Sequence, residues 1–133
     1  EPTKIYVKPV MEMLDSGIDL KAMVHITSGG FCNLNRVESD DIRFVIDTLQ
    51  PVHKIFNLIQ DRGGVSEAEM FEVFNMGTGF CLVVESANEV EAITKICKTY
   101  NLPCQVIGQV EGCQGKEVLL PQKQLTGKGS RFT

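Results

Sequence analysis

The chain has to turn sharply at residues 28–30. The apolar run Ala22-Met23-Val24 passes into a polar stretch, His25-Ile26-Thr27-Ser28-Gly29-Gly30-Phe31-Cys32-Asn33-Leu34-Asn35-Arg36-Val37, with adjacent glycines near its centre. Gly29 and Gly30 can take positive φ, or let another group come close, without a Cβ clash. Successive backbone N–H groups in such a turn can form an anion nest, and Arg36 adds a fork of donors suited to phosphate. A plain Ser-Gly-Gly turn with no ligand accounts for the glycines equally well. No Gly-Lys-Ser/Thr follows, so this is not a Walker loop, and the G-x-G-x-x-G spacing of a dinucleotide fingerprint is absent.

The 133 residues suffice for one domain with a real core. A formal net charge of −4 argues against general nucleic-acid binding. No apolar run approaches the ~20 residues of a membrane span, and no signal-peptide pattern is expected at the N-terminus. The five cysteines are odd in number and include no C-x-x-C pair, so neither a zinc site nor a disulfide framework is indicated. A reducing, cytoplasmic compartment is the expectation. Cys81, Cys97 and Cys104 sit among apolar residues and are expected in the core. Cys32 lies beside the glycine turn and is open to two readings, a reactive thiol or a packing residue.

Glu1 to Val7 reads as an extended connector or short strand. Pro9 suits the first turn of a helix through Leu14, stopped by Gly17. Ile18 to Ala22 suits a further helical turn, Met23 to Ile26 a buried strand, and Asn33 to Val37 a short helix. Ile42, Val45, Ile46 and Leu49 are spaced like a helix face over Ser39 to Leu49. Pro51 opens another helix with Val52, Ile55, Phe56 and Ile59 on one face and Gly63-Gly64 at its end. Ser66 to Glu69 reads as a capping box for a helix to Phe74. A second polar turn, Asn75-Met76-Gly77-Thr78-Gly79, precedes a strand at Phe80 to Val84. Ser86 and Glu89 cap a helix to Tyr100. Cys104 to Val110 and Glu117 to Leu120 read as strands, and the polar, basic, glycine-rich residues 122–133 as a poorly ordered tail that could clamp a ligand. With no repeat and no internal linker, the expectation is one α+β domain in α/β layers, a small mixed sheet covered by helices.

His25, at a strand end, suits either contact with phosphate oxygen and acid–base work or a structural bond to backbone. His53 reads as solvated surface. Asp40 and Asp41 suit a helix N-terminus, as does the cluster Glu67, Glu69 and Glu72. Two histidines and no G-x-S-x-G offer no Ser-His-Asp arrangement.

Three ordered segments carry a family likeness. They are Pro2-Thr3-Lys4-Ile5-Tyr6-Val7-Lys8-Pro9, His25-Ile26-Thr27-Ser28-Gly29-Gly30-Phe31, and Glu69-Met70-Phe71-Glu72-Val73-Phe74-Asn75-Met76-Gly77-Thr78-Gly79. Together they resemble the C-terminal domain of the aminoimidazole ribonucleotide synthetases, the PurM-type cyclo-ligases of purine biosynthesis, over about Pro2 to Leu120. The family usually has three consecutive glycines after His-Ile-Thr, where this chain has Ser28. Asn35 stands where proline is common. The likeness implies a domain over 1–121, a tail over 122–133, and a separate N-terminal domain that dimerises and binds most of the ATP and Mg2+. It implies ATP-dependent closure of the imidazole ring of formylglycinamidine ribonucleotide. On this likeness Thr27, Ser28, Gly29, Gly30, Asn33 and Arg36 grip ribonucleotide phosphate, His25 positions or protonates, and Asn75, Gly77 and Gly79 form a second turn at the same cleft. No metal ligand is expected on this part. Selenophosphate synthetase, thiamine-monophosphate kinase, hydrogenase-maturation and formylglycinamidine synthase enzymes share the two-domain plan. A small regulatory ligand-binding module is an alternative of another class.

Overall fold

The structure is a computed structural model and describes residues 3–133. Glu1 and Pro2, the start of the expected extended connector, lie outside the described residues. Along the chain run α1 (Val7–Asp15), β1 (Ala22–His25), a 3-10 helix η1 (Gly30–Arg36), β2 (Ile42–Ile46), α2 (Lys54–Gly63), α3 (Glu67–Val73), β3 (Phe80–Val83), α4 (Ala87–Thr99), β4 (Gly108–Gly112), β5 (Lys116–Leu120), a short 3-10 turn η2 (Pro121–Lys123), β6 (Leu125–Lys128) and β7 (Arg131–Phe132). This is an α+β fold. The chain divides into two compact units, each assembled from two separated segments. No local composition shift marks such a division, because each unit is completed by residues far along the sequence.

The helical unit comprises the residues up to Met23 together with Phe80–Val106. Its core is Met13 of α1 against Ile93 and Cys97 of α4, flanked by Ile18, Leu20, Leu82, Val84, Ile96 and Leu102. Met13 lies four residues after Pro9, the other buried position of α1, so one helical stripe faces inward. Gly17, at φ +74, follows the end of α1 as expected, but Ile18 to Lys21 form no helical turn. β3 pairs with β1, whose first two residues belong to this unit. The Ser86 and Glu89 capping box of α4 forms in both directions, with Ser86 Oγ accepting from the Glu89 N–H and Glu89 Oε2 accepting from the Ser86 N–H. The Tyr100 hydroxyl donates to Glu12 Oε2 at 2.6 Å, tying the end of α4 to α1. Cys81 and Cys97 are buried as expected, but Cys104 is exposed, because the stretch after Pro103 forms no strand until Gly108.

The sheet unit comprises Val24–Gly79 and Ile107–Thr133. Its five strands run in the order β4-β2-β5-β6-β7. β2 is antiparallel to β4 and parallel to β5, and the β5–β6 and β6–β7 pairs are antiparallel. The helix expected over Ser39 to Leu49 is therefore incorrect, since Ile42–Ile46 form a central strand. Phe44 and Ile46 are its buried positions, the period-2 pattern of a sheet, and β-branched Ile42, Val45 and Ile46 favour it. Gly108 lies opposite Ile46, and a Cβ there would stand 1.8 Å from the Val45 carbonyl oxygen. Only glycine allows that approach.

α3 lies against η1, with the Phe31 and Phe71 ring centroids 6.1 Å apart. Ser66 caps α3 by accepting from the Glu69 N–H at 3.2 Å. The segment expected to be a poorly ordered tail instead contains β6 and β7. Phe132 is buried at 4 % exposure, its N–H donates to Glu72 Oε1 at 2.6 Å, and its ring lies over Gly127. One aromatic side chain and strand pairing order a segment whose composition is mostly polar. No helix among the described residues is long and apolar enough to cross a membrane.

Candidate functional site

The glycine turn is built from two glycines with different duties. Gly29 and Gly30 take φ +103 and +51, and the Gly30 N–H donates to the Thr27 carbonyl at 3.0 Å. Gly30 is buried. A Cβ on it would stand 1.8 Å from the Phe71 carbonyl oxygen and 2.9 Å from that of Phe74. It serves the contact of the turn with α3. Gly29 is more open, and a Cβ there would meet only the Asn33 amide, at 3.4 Å.

Asn33 is 2 % exposed, and its Nδ2 donates to the Gly30 carbonyl at 2.8 Å, with Thr27 and Ser28 carbonyls at 3.4 Å. Its amide hydrogens thus hold the turn closed. Asn35 reaches to the β6–β7 hairpin, where its Nδ2 donates to the Gly129 carbonyl at 3.1 Å and lies 3.4 Å from that of Gly127. Between η1 and that hairpin lies a pocket of about 300 Å³, lined by Gly29, Cys32, Asn33, Asn35, Arg36, Gly129 and Ser130.

The second turn is also self-consistent. Asn75 Oδ1 accepts from the Gly77 N–H at 3.0 Å, and the Thr78 N–H donates to the Asn75 carbonyl at 2.9 Å. Met76 and Gly77 both have positive φ. The two turns are joined by the Ile26 N–H donating to the Gly79 carbonyl at 3.0 Å. The ring of His53 lies 3.7 Å from where a Gly77 Cβ would stand.

Of the ten residues expected at the site, the pocket gathers Gly29, Asn33 and Arg36. His25, Thr27 and Ser28 are exposed but do not line it, and Gly30, Asn75, Gly77 and Gly79 are held in turn and packing contacts. Sequence reasoning missed Asn35, Gly129 and Ser130 as wall residues. The Lys128-Gly129-Ser130-Arg131 turn, followed by the lone apolar Phe132, was the available signal for a hairpin.

Burial, and secondarily the Glu72 carboxylate, push the Cys32 thiol up to about 11. It stays protonated at neutral pH, which favours the packing reading over a nucleophile. Among the described residues, no group of three or more His, Cys, Asp or Glu could hold a metal ion.

Two linked glycine turns, with a pocket beside the first of them, thus lie in one unit of the fold. Over residues 1–120 the chain matches the family model "AIR synthase related protein, C-terminal domain", and it belongs to that family. It is 46 % identical over 110 residues to the phosphoribosylformylglycinamidine cyclo-ligase of Methanococcus maripaludis, covering 83 % of this chain and 31 % of the relative. The cyclo-ligase of Methanocaldococcus jannaschii shares 46 % over 110 residues, 82 % of this chain and 31 % of its own. That of Thermoplasma acidophilum shares 36 % over 129 residues, 97 % of this chain and 36 % of its own. The chain spans about a third of the length of these relatives.

Proposed function

We propose that the chain is the C-terminal part of a phosphoribosylformylglycinamidine cyclo-ligase and forms one wall of its substrate cleft. The relatives share that name, which favours the cyclo-ligase over its superfamily siblings and over a regulatory module. The substrate is formylglycinamidine ribonucleotide, and the product aminoimidazole ribonucleotide. Amide oxygen is a poor leaving group, and ATP supplies the chemistry that makes it a good one. The observation that carries the reading is the gathering of Gly29, Asn33 and Arg36 around one pocket. There the exposed guanidinium of Arg36 provides a charge-assisted contact for the substrate phosphate.

ATP and Mg2+ belong on the N-terminal domain in this reading, with the full enzyme a cytoplasmic homodimer. His25, Thr27 and Ser28, exposed beside the turn, face the substrate only once that domain is present.

The test supplies the N-terminal domain in trans and follows ADP release. Turnover is expected from the mixture and none from either part alone. Replacing Arg36 with Ala should weaken ribonucleotide binding by about 1.5–3 kcal/mol. An unchanged Michaelis constant would remove Arg36 from the site, and turnover by this chain alone would overturn the half-enzyme reading.

A further inference from the structure

The end of α4 brings two cysteines together. The Asn101 N–H donates to the Lys98 carbonyl at 3.2 Å and the Leu102 N–H to the Cys97 carbonyl at 3.0 Å, with Asn101 at φ +53. These are the paired bonds of a Schellman motif, which sets the side chain after the left-handed residue against the helix turn it closes. Leu102 accordingly packs on the core of Met13, Ile93 and Cys97. Pro103 disfavours helical backbone at Leu102. The chain then carries Cys104 back beside the last turn of α4, where its thiol interacts with that of Cys97. Cys97 is buried and Cys104 is exposed, and both are reduced and lie in the helical unit. The remaining thiols are occupied differently. Cys113 donates to the Gly115 carbonyl at 3.2 Å, and Cys32 and Cys81 are buried.

We propose that Cys97 and Cys104 form a redox-modification site, at which hydrogen peroxide converts the exposed thiol and its buried neighbour into an intramolecular disulfide. An accessible cysteine beside a second thiol that can resolve it is the arrangement such chemistry needs. Burial, and secondarily the Cys104 thiol, push the Cys97 thiol up to about 12, so Cys97 stays protonated at neutral pH and Cys104 attacks first. The Cys104 thiolate attacks one peroxide oxygen and the O–O bond breaks. Cys104 becomes a sulfenic acid, and the departing hydroxide takes up a proton and leaves as water. The Cys97 sulfur then attacks the Cys104 sulfur, the S–O bond breaks, and the Cys97 proton goes to the departing hydroxide. Two thiols are oxidised, and one peroxide is reduced to two waters. The bond closes the loop 97–104 over a turn that is already formed. It fixes to α4 the stretch leading to Val106, where the helical unit ends. This site is independent of the glycine turns and of the ribonucleotide reading.

Treating the full, folded chain with equimolar hydrogen peroxide and then blocking free thiols with iodoacetamide tests this. Cleavage after Lys98 and Glu111 places Cys97, Cys104 and Cys113 on separate peptides, which mass spectrometry can tell apart. Two of the five thiols should be lost, with the Cys97 and Cys104 peptides joined, and dithiothreitol should return both. In Cys97→Ala, Cys104 should stop at the sulfenic acid, trapped by dimedone. In Cys104→Ser, at an exposed position, Cys97 should remain reduced under the same dose. No loss of thiol overturns the proposal. So does oxidation of Cys104, or its pairing between two chains, with Cys97 left reduced. Oxidation of Cys97 in Cys104→Ser overturns it as well, and this variant decides the matter if Cys97→Ala fails to fold.

Discussion

The carbonyl oxygen of Phe71 lies 1.8 Å from the point where residue 30 would carry a Cβ. Gly30 is thus fixed by its contact with α3, whereas its neighbour Gly29 is fixed only by its backbone angle. The two positions should separate on substitution. Gly30→Ala should destabilise the fold by about 3 kcal/mol or more, through overpacking and strain together. Gly29→Ala should cost about 1–2 kcal/mol, from positive φ alone. Urea unfolding of both variants checks the difference, and equal losses would contradict these separate roles.

The C-terminal hairpin should be a structural element rather than an appendage. Phe132→Ala removes a buried ring over Gly127 and should cost about 3–5 kcal/mol. Proteolysis should leave residues 125–132 intact in the native chain and cut them in the variant. Early cleavage of the native hairpin would argue for the flexible tail that the composition suggests.

Glu117 gives the sheet a dependence on pH. It sits opposite Arg43 in the β2–β5 register, with Arg43 Nη2 and Lys128 Nζ at 2.6 and 3.3 Å from its oxygens. The Arg43 hydrogen bond, with Lys128 assisting, holds its carboxyl below the ordinary value of 4.5. The unfolded chain therefore binds this proton more readily, and stability rises with pH across that interval. The contribution is fully present above the ordinary carboxylate value and is lost as pH falls through the lowered one. Glu117→Gln should lower stability by about 1–2 kcal/mol at neutral pH and flatten the acid limb. Thermal melts from neutral to acid pH measure both, and an unchanged acid limb would count against the pairing.

The thiols should differ in reactivity. Cys104 is exposed, while Cys32 is buried with its thiol raised to about 11 and Cys81 is buried with its thiol raised to about 12. Iodoacetamide at neutral pH should modify Cys104 first and spare Cys32 and Cys81 until the chain unfolds. Mass spectrometry of the alkylated peptides reads the order. Early modification of Cys32 would restore the nucleophile reading.

Local signals were legible where both partners lie within a few residues. Ser86 and Glu89 announced α4, and Ser66 announced α3, because a cap is a contact across three positions. β2 was not legible, since Ile42, Val45, Ile46 and Leu49 satisfy helical spacing as well. Its identity comes from pairing with Gly108–Gly112 and Lys116–Leu119, more than sixty residues away in the register. The same limit applied to the site. The glycines, Asn33 and Arg36 stood out as a local cluster, but the facing wall comes from Gly129 and Ser130. Sequence also could not divide the labour of Gly29 and Gly30, because the atoms that require Gly30 belong to Phe71 and Phe74.

The Tyr100 hydroxyl meets Glu12 across a separation of 88 residues. The helical unit is interrupted after Met23 and resumes at Phe80, and the sheet unit is interrupted after Gly79 and resumes at Ile107. During synthesis α1 leaves the ribosome long before α4 exists to cover Met13. Likewise β2 waits, with both edges open, for β4 and β5. The helical unit cannot be completed before Val106 is made, nor the sheet unit before β7, so each depends on late-arriving partners to shield its apolar surfaces.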